Sequence, residues 1–255
     1  MKHISFVVFA LLLCAGSLYA QGYPAAEAGS TCRAKLSGAV DWKITRGLHL
    51  SLEEQLRLGE DAFRSKTSLG LDYKLCPFLK AGVGYSFIAS PRNHLKHRAS
   101  AFLMGSYKTG GWRFSVKETA QYTFKAYEIN TFQQPQGAFA LRSRPKISYT
   151  PGGSAWTPYV SCEFRHQLNA VDPASLGKVK GSEGTVSYSH AYLDRIRAIA
   201  GTEFRASRRS YLDFYLSGDY TRPLVIDASS KGRFKTANWE PLYTLSLGIA
   251  YKFAL

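Results

Sequence analysis

Acidic residues and methionine are scarce in this sequence, and no long hydrophobic run follows its first 20 residues. The chain has 18 Asp and Glu, 33 Lys and Arg and only 2 Met, and its formal charge is +15. A bundle of transmembrane helices needs several apolar runs of about 18 residues or more, so that class of protein is excluded. Intrinsic disorder is excluded because aromatic residues form 14% of the chain, whereas disordered segments contain few.

Tyrosine, phenylalanine and glycine are abundant instead. The chain contains 16 Tyr, 15 Phe and 22 Gly, and it lacks leucine-rich segments with a helical repeat. This composition favours an all-β protein, because aromatic residues fit the pleated surface of a sheet. A chain of 255 residues forms one large domain or two small ones.

Residues 1–20 have the layout of a secretory signal peptide. Lys2 gives a positive start, residues 6–13 form the apolar stretch, and small residues lead up to Ala20. The apolar stretch is too short for a transmembrane anchor. We expect cleavage after Ala20 and export from the cytoplasm.

Cysteine is also scarce. Cys14 would be the acylated residue of a lipoprotein signal, but Leu13 disfavours that alternative because a small residue is needed there. Cleavage leaves Cys32, Cys76 and Cys162, and an odd number in an exported protein implies at least one free thiol. A Cys32–Cys76 disulfide and three unpaired thiols remain alternatives. Without a Cys-x-x-Cys pair or a Cys/His cluster, a zinc site is disfavoured.

Beyond residue 34 the apolar residues recur with a period of two, which is typical of strands with two different faces. Leu69, Leu71 and Tyr73 share one face of such a segment, and the residues between them are Gly70 and Asp72. Eleven strands are predicted, and most are long enough to cross a bilayer at a tilt of about 45°. They cover 34–44, 48–58, 63–75, 78–89, 95–108, 112–125, 138–149, 157–167, 191–205, 210–220 and 241–253.

The connections between these strands alternate between tight turns and longer loops. The longest loops are predicted at 168–190 and 221–240, after a third at 126–137. A soluble sandwich is the alternative, but long strands, aromatic residues near strand ends and a signal peptide favour an outer-membrane barrel.

The prediction is therefore an all-β fold, a transmembrane antiparallel up-and-down β-barrel of 10–12 strands. Twelve strands are slightly favoured, because two chain ends in the periplasm require an even number. Residues 1–20 would be the signal peptide, 21–33 a short N-terminal segment and 34–255 the barrel domain.

Several segments in order resemble a known family. They include LHLSLEEQLRL at 48–58, SLGLDYKLCPFLKAGVGYSFI at 68–88, LRSRPKISYT at 141–150 and LGIAYKF at 247–253. Together they are similar to the Bacteroidetes-type outer-membrane β-barrel family known as domain of unknown function 2490. The resemblance implies an outer-membrane barrel in a Gram-negative bacterium, and it implies no activity, cofactor or site residue.

Alternation directs many Lys and Arg side chains into the predicted lumen, with fewer acids. A ring of such cations favours anions, whereas a network of ion pairs would close the lumen, and both alternatives remain. The inward acids are predicted to include Glu53, Asp72, Glu163, Glu203, Asp213 and Asp219. The basic lining is predicted to include Arg64, Lys66, Arg98, Lys117, Arg142, Arg144, Lys146, Arg165, Arg195, Arg197 and Arg205.

Two acids, Glu54 and Glu118, fall on the apolar face by simple alternation. A β-bulge that turns each acid inward is the favoured interpretation. The alternative is a catalytic site for lipid chemistry on the outer wall. No G-x-S-x-G string follows the leader to mark a nucleophile, and His94 and His97 have a poor spacing for a shared metal.

Three functions follow in order of preference: a small transport or structural barrel with a basic lumen, a lipid-modifying enzyme, and an outer-loop binding or adhesion module. Small anions and outer-membrane lipid, including lipopolysaccharide, are the expected partners. Nucleic acid is not expected, because export separates the chain from it. No catalytic, metal or cofactor site is predicted, and the oligomeric state is not indicated. Basic residues expected in outer loops are Arg92, Lys96, Lys178, Lys180, Lys231 and Arg233.

Overall fold

A computed structural model describes residues 29–59, 63–89, 95–125, 137–170, 189–228 and 234–255. In these residues, 11 strands form one closed barrel and two short strands form a separate hairpin. No helix in the described residues is long and apolar enough to cross a membrane. The predicted signal peptide lies outside the described residues, as do His94 and all the predicted outer-loop basic residues except Lys96.

The barrel strands match the eleven predicted ones closely, because the period-two pattern extends through each of them. The first strand begins at Gly29, five residues before the predicted start at 34. The barrel strands are β1 Gly29–Lys43, β2 Leu48–Gly59, β3 Arg64–Cys76, β4 Leu79–Ala89, β5 Lys96–Thr109, β6 Trp112–Lys125, β7 Gly137–Tyr149, β8 Trp156–Ala170, β9 His190–Arg205, β10 Ser210–Thr221 and β13 Leu242–Ala254.

The two ends of the barrel differ in their connections. At the short-turn end, the links between strands are 44–47, 77–78, 110–111, 150–155 and 206–209. Gly110 and Gly153 have φ angles of 57° and 75° in two of these turns, a conformation that favours glycine. The opposite end, called the long-loop end below, carries the links that follow β2, β4, β6, β8 and β10.

The barrel closes through one parallel pair of strands. All other neighbouring strands are antiparallel, whereas β1 and β13 run in the same direction from Gly29 beside Leu242 to Asp41 beside Ala254. The described barrel thus has 11 strands, within the predicted range of 10–12. The requirement for an even number was wrong, because a parallel pair lets an odd number close, with β1 starting at the long-loop end and β13 finishing at the short-turn end.

The register fixes the tilt of the strands. Following paired residues once around the barrel leads from Lys43 to Gly29, which lies 14 residues away in the same strand. A barrel of 11 strands with this stagger has strands tilted by about 45° from its axis. A level perpendicular to the axis therefore crosses successive strands at positions that shift by about one residue per strand.

The apolar face of the sheet points outward. Leu69 is 51% exposed, Val83 56% and Leu247 63%, whereas the polar side chains Ser217 and Ser246 on the inner face are 1% exposed. A barrel in water would bury its apolar side chains, so this surface matches a lipid surrounding. Aromatic pairs lie near both ends of the wall, such as Trp112 with Tyr149 at the short-turn end.

A short hairpin lies at the long-loop end, within the segment 221–240 that the sequence predicted as a loop. Its strands are β11 Leu224–Ala228 and β12 Phe234–Trp239, which pair only with each other. They are too short to show a clear alternation, so the pattern missed them. Trp239 is 2% exposed, and its ring lies 4.9 Å from the ring of Tyr192 in β9.

Cys32 and Cys76 are both free thiols, so the Cys32–Cys76 disulfide is not formed. Cys32 lies near the long-loop end of β1, whereas Cys76 ends β3 at the short-turn end. A disulfide needs Cα atoms about 4.4–6.8 Å apart, which residues at opposite ends of the barrel do not reach.

Candidate functional site: the basic lumen

The barrel encloses a polar cavity of about 500 Å³. Eleven Lys and Arg side chains line it, against three carboxylates, Glu53, Glu163 and Asp213. Most of these groups come from mid-strand positions whose alternate neighbours face outward. The strands thus create a strongly basic interior and an apolar exterior from one repeating pattern.

Most of the residues predicted for the basic lining meet in this cavity. Two predicted residues are elsewhere. Lys146 reaches Glu203 with Nζ 2.6 Å from Oε1 and lies over the ring of Tyr159, and Arg205 is exposed at the short-turn end of β9. The predicted residues that line the cavity are Arg64, Lys66, Arg98, Lys117, Arg142, Arg144, Arg165, Arg195 and Arg197.

Three charged groups of the lumen were missed from the sequence. Lys35 and Arg57 follow the alternation of β1 and β2, so the period-two pattern carries the signal for both. Asp194 does not follow it. Arg165 pairs with Arg195 and His166 with Leu193, so Asp194 is an extra residue in a β-bulge. The bulge lets Asp194 and Arg195 both contact lumen partners, which no fixed period predicts.

Nine cations form a ring around the lumen, which we call the basic girdle. Arg142, Arg165 and Arg195 are direct cross-strand partners on β7, β8 and β9. Arg57 and Arg64 are partners on β2 and β3. With the one-residue shift per strand that the tilt imposes, the nine lie at a common level nearer the long-loop end. The girdle consists of Lys35, Arg57, Arg64, Lys66, Arg98, Arg142, Arg165, Arg195 and Arg197.

One part of the girdle is neutralised by buried acids. Glu163 is 1% exposed and accepts hydrogen bonds from Arg142 and, at 2.5 Å, from Nη2 of Arg195. Its Oε1 also lies 3.8 Å from Nη1 of Arg197. A buried carboxylate is tolerated here because several guanidinium groups surround it.

Two further acids complete this part. Asp194 pairs with Arg165 through both of its oxygens, and Asp219 pairs in the same way with Arg197. Lys35 lies 3.8 Å from the Asp219 carboxylate and donates a hydrogen bond of 3.0 Å to Ser217. We call this part the paired arc: Lys35, Arg142, Arg165, Arg195 and Arg197 with Glu163, Asp194 and Asp219.

The rest of the girdle forms no ion pair with any residue in the described part of the chain. Arg57 donates from Nε and Nη2 to Oε1 of Gln55, at 3.2 and 2.9 Å, and Arg98 donates from Nε to Thr123 at 3.0 Å. We call Arg57, Arg64, Lys66 and Arg98 the unpaired arc. Its charges interact with those of the paired arc across the lumen, as between Arg64 and Arg165.

Glu54 and Glu118 lie on the outer wall, and the predicted bulges are not present. The registers of β2 and β6 with both of their neighbours run without a shift at either acid. Glu54 instead accepts hydrogen bonds of 2.5 Å from Ser65 and from Thr67 on β3. Glu118 accepts one of 2.6 Å from Ser143 on β7. Hydroxyl groups on the adjacent strand replace the water that each carboxylate lacks.

His97 on the outer wall contacts a tyrosine rather than an acid. His97 shares a hydrogen bond of 2.6 Å with the Tyr85 hydroxyl, while the contacts of Glu54 are to Ser65 and Thr67. Among the described residues, no three His, Cys, Asp or Glu side chains gather as a metal ion would require. The described part of the outer wall thus carries three separate polar contacts, centred on Glu54, Glu118 and His97.

The chain is similar to a solved structure and to a protein family. A solved structure described as "NanC porin structure in rhombohedral crystal form" is similar at 13% identity and a TM-score of 0.47, covering 88% of this chain and 98% of that chain. No relative is found among the curated proteins. A family profile matches residues 36–224, from within β1 to the start of β11. The chain therefore belongs to the family described as "Protein of unknown function (DUF2490)".

Proposed function

We propose that the protein is an outer-membrane barrel that passes small anions through its basic lumen. The main supporting observation is the basic girdle, in which nine cations are arranged around one level and, among the described residues, three acids form ion pairs with them. A ring of Arg and Lys lowers the energy of an anion at a constriction and raises that of a cation.

The outer surface supports a membrane location. The wall is covered by exposed Leu, Val, Ile and aromatic side chains, and the strands of 11–16 residues are long enough to span an outer membrane when tilted. The leader at residues 1–20 would export the chain. The proposal is transport rather than catalysis, and it assigns no enzymatic residue.

The test is conductance of the refolded mature chain in a planar lipid bilayer under a KCl gradient. Discrete steps with a reversal potential near that of chloride are the expected result. A correctly folded protein that gives no steps, or a reversal potential near that of potassium, would contradict the proposal.

Variants of lumen residues test whether the lumen determines the ion selectivity. In the double variant Arg98→Gln and Lys117→Gln, two lumen cations outside any described ion pair lose their charge, so anion preference should fall severalfold. The matched control is Lys108→Gln with Arg208→Gln, which removes two charges from exposed positions at the short-turn end. Equal effects of both pairs would show that net charge, not the lumen, determines selectivity.

A further inference from the structure

The unpaired arc is unusual because its positive charges lie together without an ion pair to any described residue, although Glu53 lies within electrostatic range of Lys66 and Asp219 within range of Arg57. Arg57 and Arg64 are direct partners across β2 and β3, where like charges normally destabilise a sheet. Arg98 lies within electrostatic range of both, and Lys66 within range of Arg57 and Arg98. In the paired arc, three acids offset the repulsion between the like charges. In the unpaired arc, no described acid forms an ion pair that would offset it.

The donors of the unpaired arc are only partly used. Within the described residues, Arg57 donates from Nε and Nη2 to Gln55, and Arg98 donates from Nε to Thr123. Nη1 of Arg57 and both terminal nitrogens of Arg98 have no acceptor among those residues. Arg64 and Lys66 form no hydrogen bond that the described residues account for. A guanidinium presents its N–H groups in a fixed planar fork, which suits an oxyanion better than a spherical ion such as chloride.

We propose that the unpaired arc is a binding site for a multivalent oxyanion, with Arg57, Arg64, Lys66 and Arg98 as its ligands. The class comprises solutes with phosphate, sulfate or several carboxylate groups. Two or more negative charges are needed to satisfy four cations from three strands. The inference rests on the proposed function in one respect, namely that solutes reach the lumen.

The paired arc confines the ligand to one side of the lumen. Its cations are held by Glu163, Asp194 and Asp219, whose charges repel an oxyanion. The ligand therefore lies against β2, β3 and β5. The cavity of about 500 Å³ accommodates inorganic pyrophosphate with water, which makes pyrophosphate a suitable probe.

The test is calorimetric titration of the refolded full-length mature chain in detergent micelles with pyrophosphate, against chloride at the same ionic strength. Pyrophosphate should bind at one site, and chloride should not compete at equal ionic strength. The double variant Arg57→Gln and Arg64→Gln should weaken pyrophosphate binding at least tenfold. The matched control, Lys80→Gln with Lys252→Gln, removes two charges near the short-turn end and should change binding less than twofold.

Each outcome decides between alternatives. Equal loss in both double variants would overturn the site in favour of general charge attraction, and so would wild-type protein that shows no binding. Displacement of pyrophosphate by added lipopolysaccharide would assign the phosphate chemistry to a lipid headgroup and overturn the solute assignment.

Anion-selective conductance without pyrophosphate binding would refute this inference alone, whereas binding without conductance would refute the proposed transport alone. Resistance of each variant to unfolding by SDS without heating verifies its fold.

Discussion

Two carboxylates on an apolar wall are stabilised by hydroxyl groups of the neighbouring strand. Glu54 contacts Ser65 and Thr67, and Glu118 contacts Ser143. Ionisable groups facing lipid are costly, and an internal donor reduces that cost without abolishing it. These residues are therefore expected to cost stability, which substitution can measure.

We expect Glu54→Leu to stabilise the folded barrel by about 1 kcal/mol, because it replaces a carboxylate by an apolar group on the lipid face. Thr67→Val should do the opposite by a similar amount, because it removes a donor and keeps the acid. Urea unfolding in lipid vesicles measures both. A loss of stability in Glu54→Leu would show that the acid has a partner beyond these hydroxyls.

Inside the barrel, an acidic residue is expected to stabilise the fold rather than destabilise it. Glu163 is surrounded by Arg142, Arg195 and Arg197, so Glu163→Gln should lower the free energy of unfolding by about 3 kcal/mol. Glu203→Gln is the control, because the Lys146–Glu203 pair is more exposed and should contribute less than about 1 kcal/mol. Similar losses for the two variants would contradict a central role for Glu163.

At the scale of single strands, inward glycines make room for inward rings. A Cβ atom on Gly82 would lie 2.6 Å from the ring of Phe102, and one on Gly248 would overlap the ring of Tyr215. The facing aromatic ring gives the reason for the glycine at each of these two positions.

This contact predicts a rescue. Gly248→Ala should destabilise the barrel by about 1–3 kcal/mol through overpacking, and Tyr215→Ser should recover most of that loss in the double variant. Thermal unfolding of the two single variants and the double variant gives the coupling energy. Simple additivity of the two changes would mean that the ring and the glycine do not touch.

The parallel pairing of β1 and β13 is testable by cross-linking. Cys32 pairs directly with Leu245, and both residues are exposed on the outer wall. In a chain with Cys76→Ser and Cys162→Ser, Leu245→Cys should form a disulfide with Cys32 under mild oxidation. Leu247→Cys pairs with Ala34 instead and serves as the control. A change in gel mobility detects the covalent loop that the disulfide closes. Cross-linking in Leu247→Cys but not in Leu245→Cys would show that the register is different.

The eleven long strands were predictable because lipid on one side and water on the other impose a strict period of two. The parallel closure was not predictable, since β1 and β13 carry the same alternation whichever direction they pair in. The ion-pair partner of each lumen arginine could not be predicted either. Glu163 and Glu53 both lie at inward positions of the pattern, yet of the two only Glu163 is surrounded by three guanidinium groups. Asp194 was hidden by a bulge that breaks the period.

For the whole molecule, the location of the aromatic rings predicts its depth in a bilayer. Trp112 and Trp156 are both 48% exposed at the short-turn end, whereas Trp239 is buried. Lipids brominated near the headgroup should quench Trp112 and Trp156 more than lipids brominated near the chain ends, because these rings lie at the interface. Trp42 also lies near the short-turn end, in β1, so a chain with Trp42→Phe is used, and in that chain the double variant Trp112→Phe and Trp156→Phe should lose this quenching. Persistent quenching would indicate a different depth.

The join between the first and last barrel strands also determines when the molecule can be completed. The hydroxyls of Thr31 and Thr244 lie 3.1 Å apart across that join, although 213 positions separate them along the chain. Contacts so distant in sequence form late, because the intervening segment must be organised first. A nascent chain that stops before β13 leaves both β1 and β10 with unsatisfied backbone donors and acceptors, which invite aggregation. We therefore expect the barrel to close only after β13 has been made and has paired with both β1 and β10.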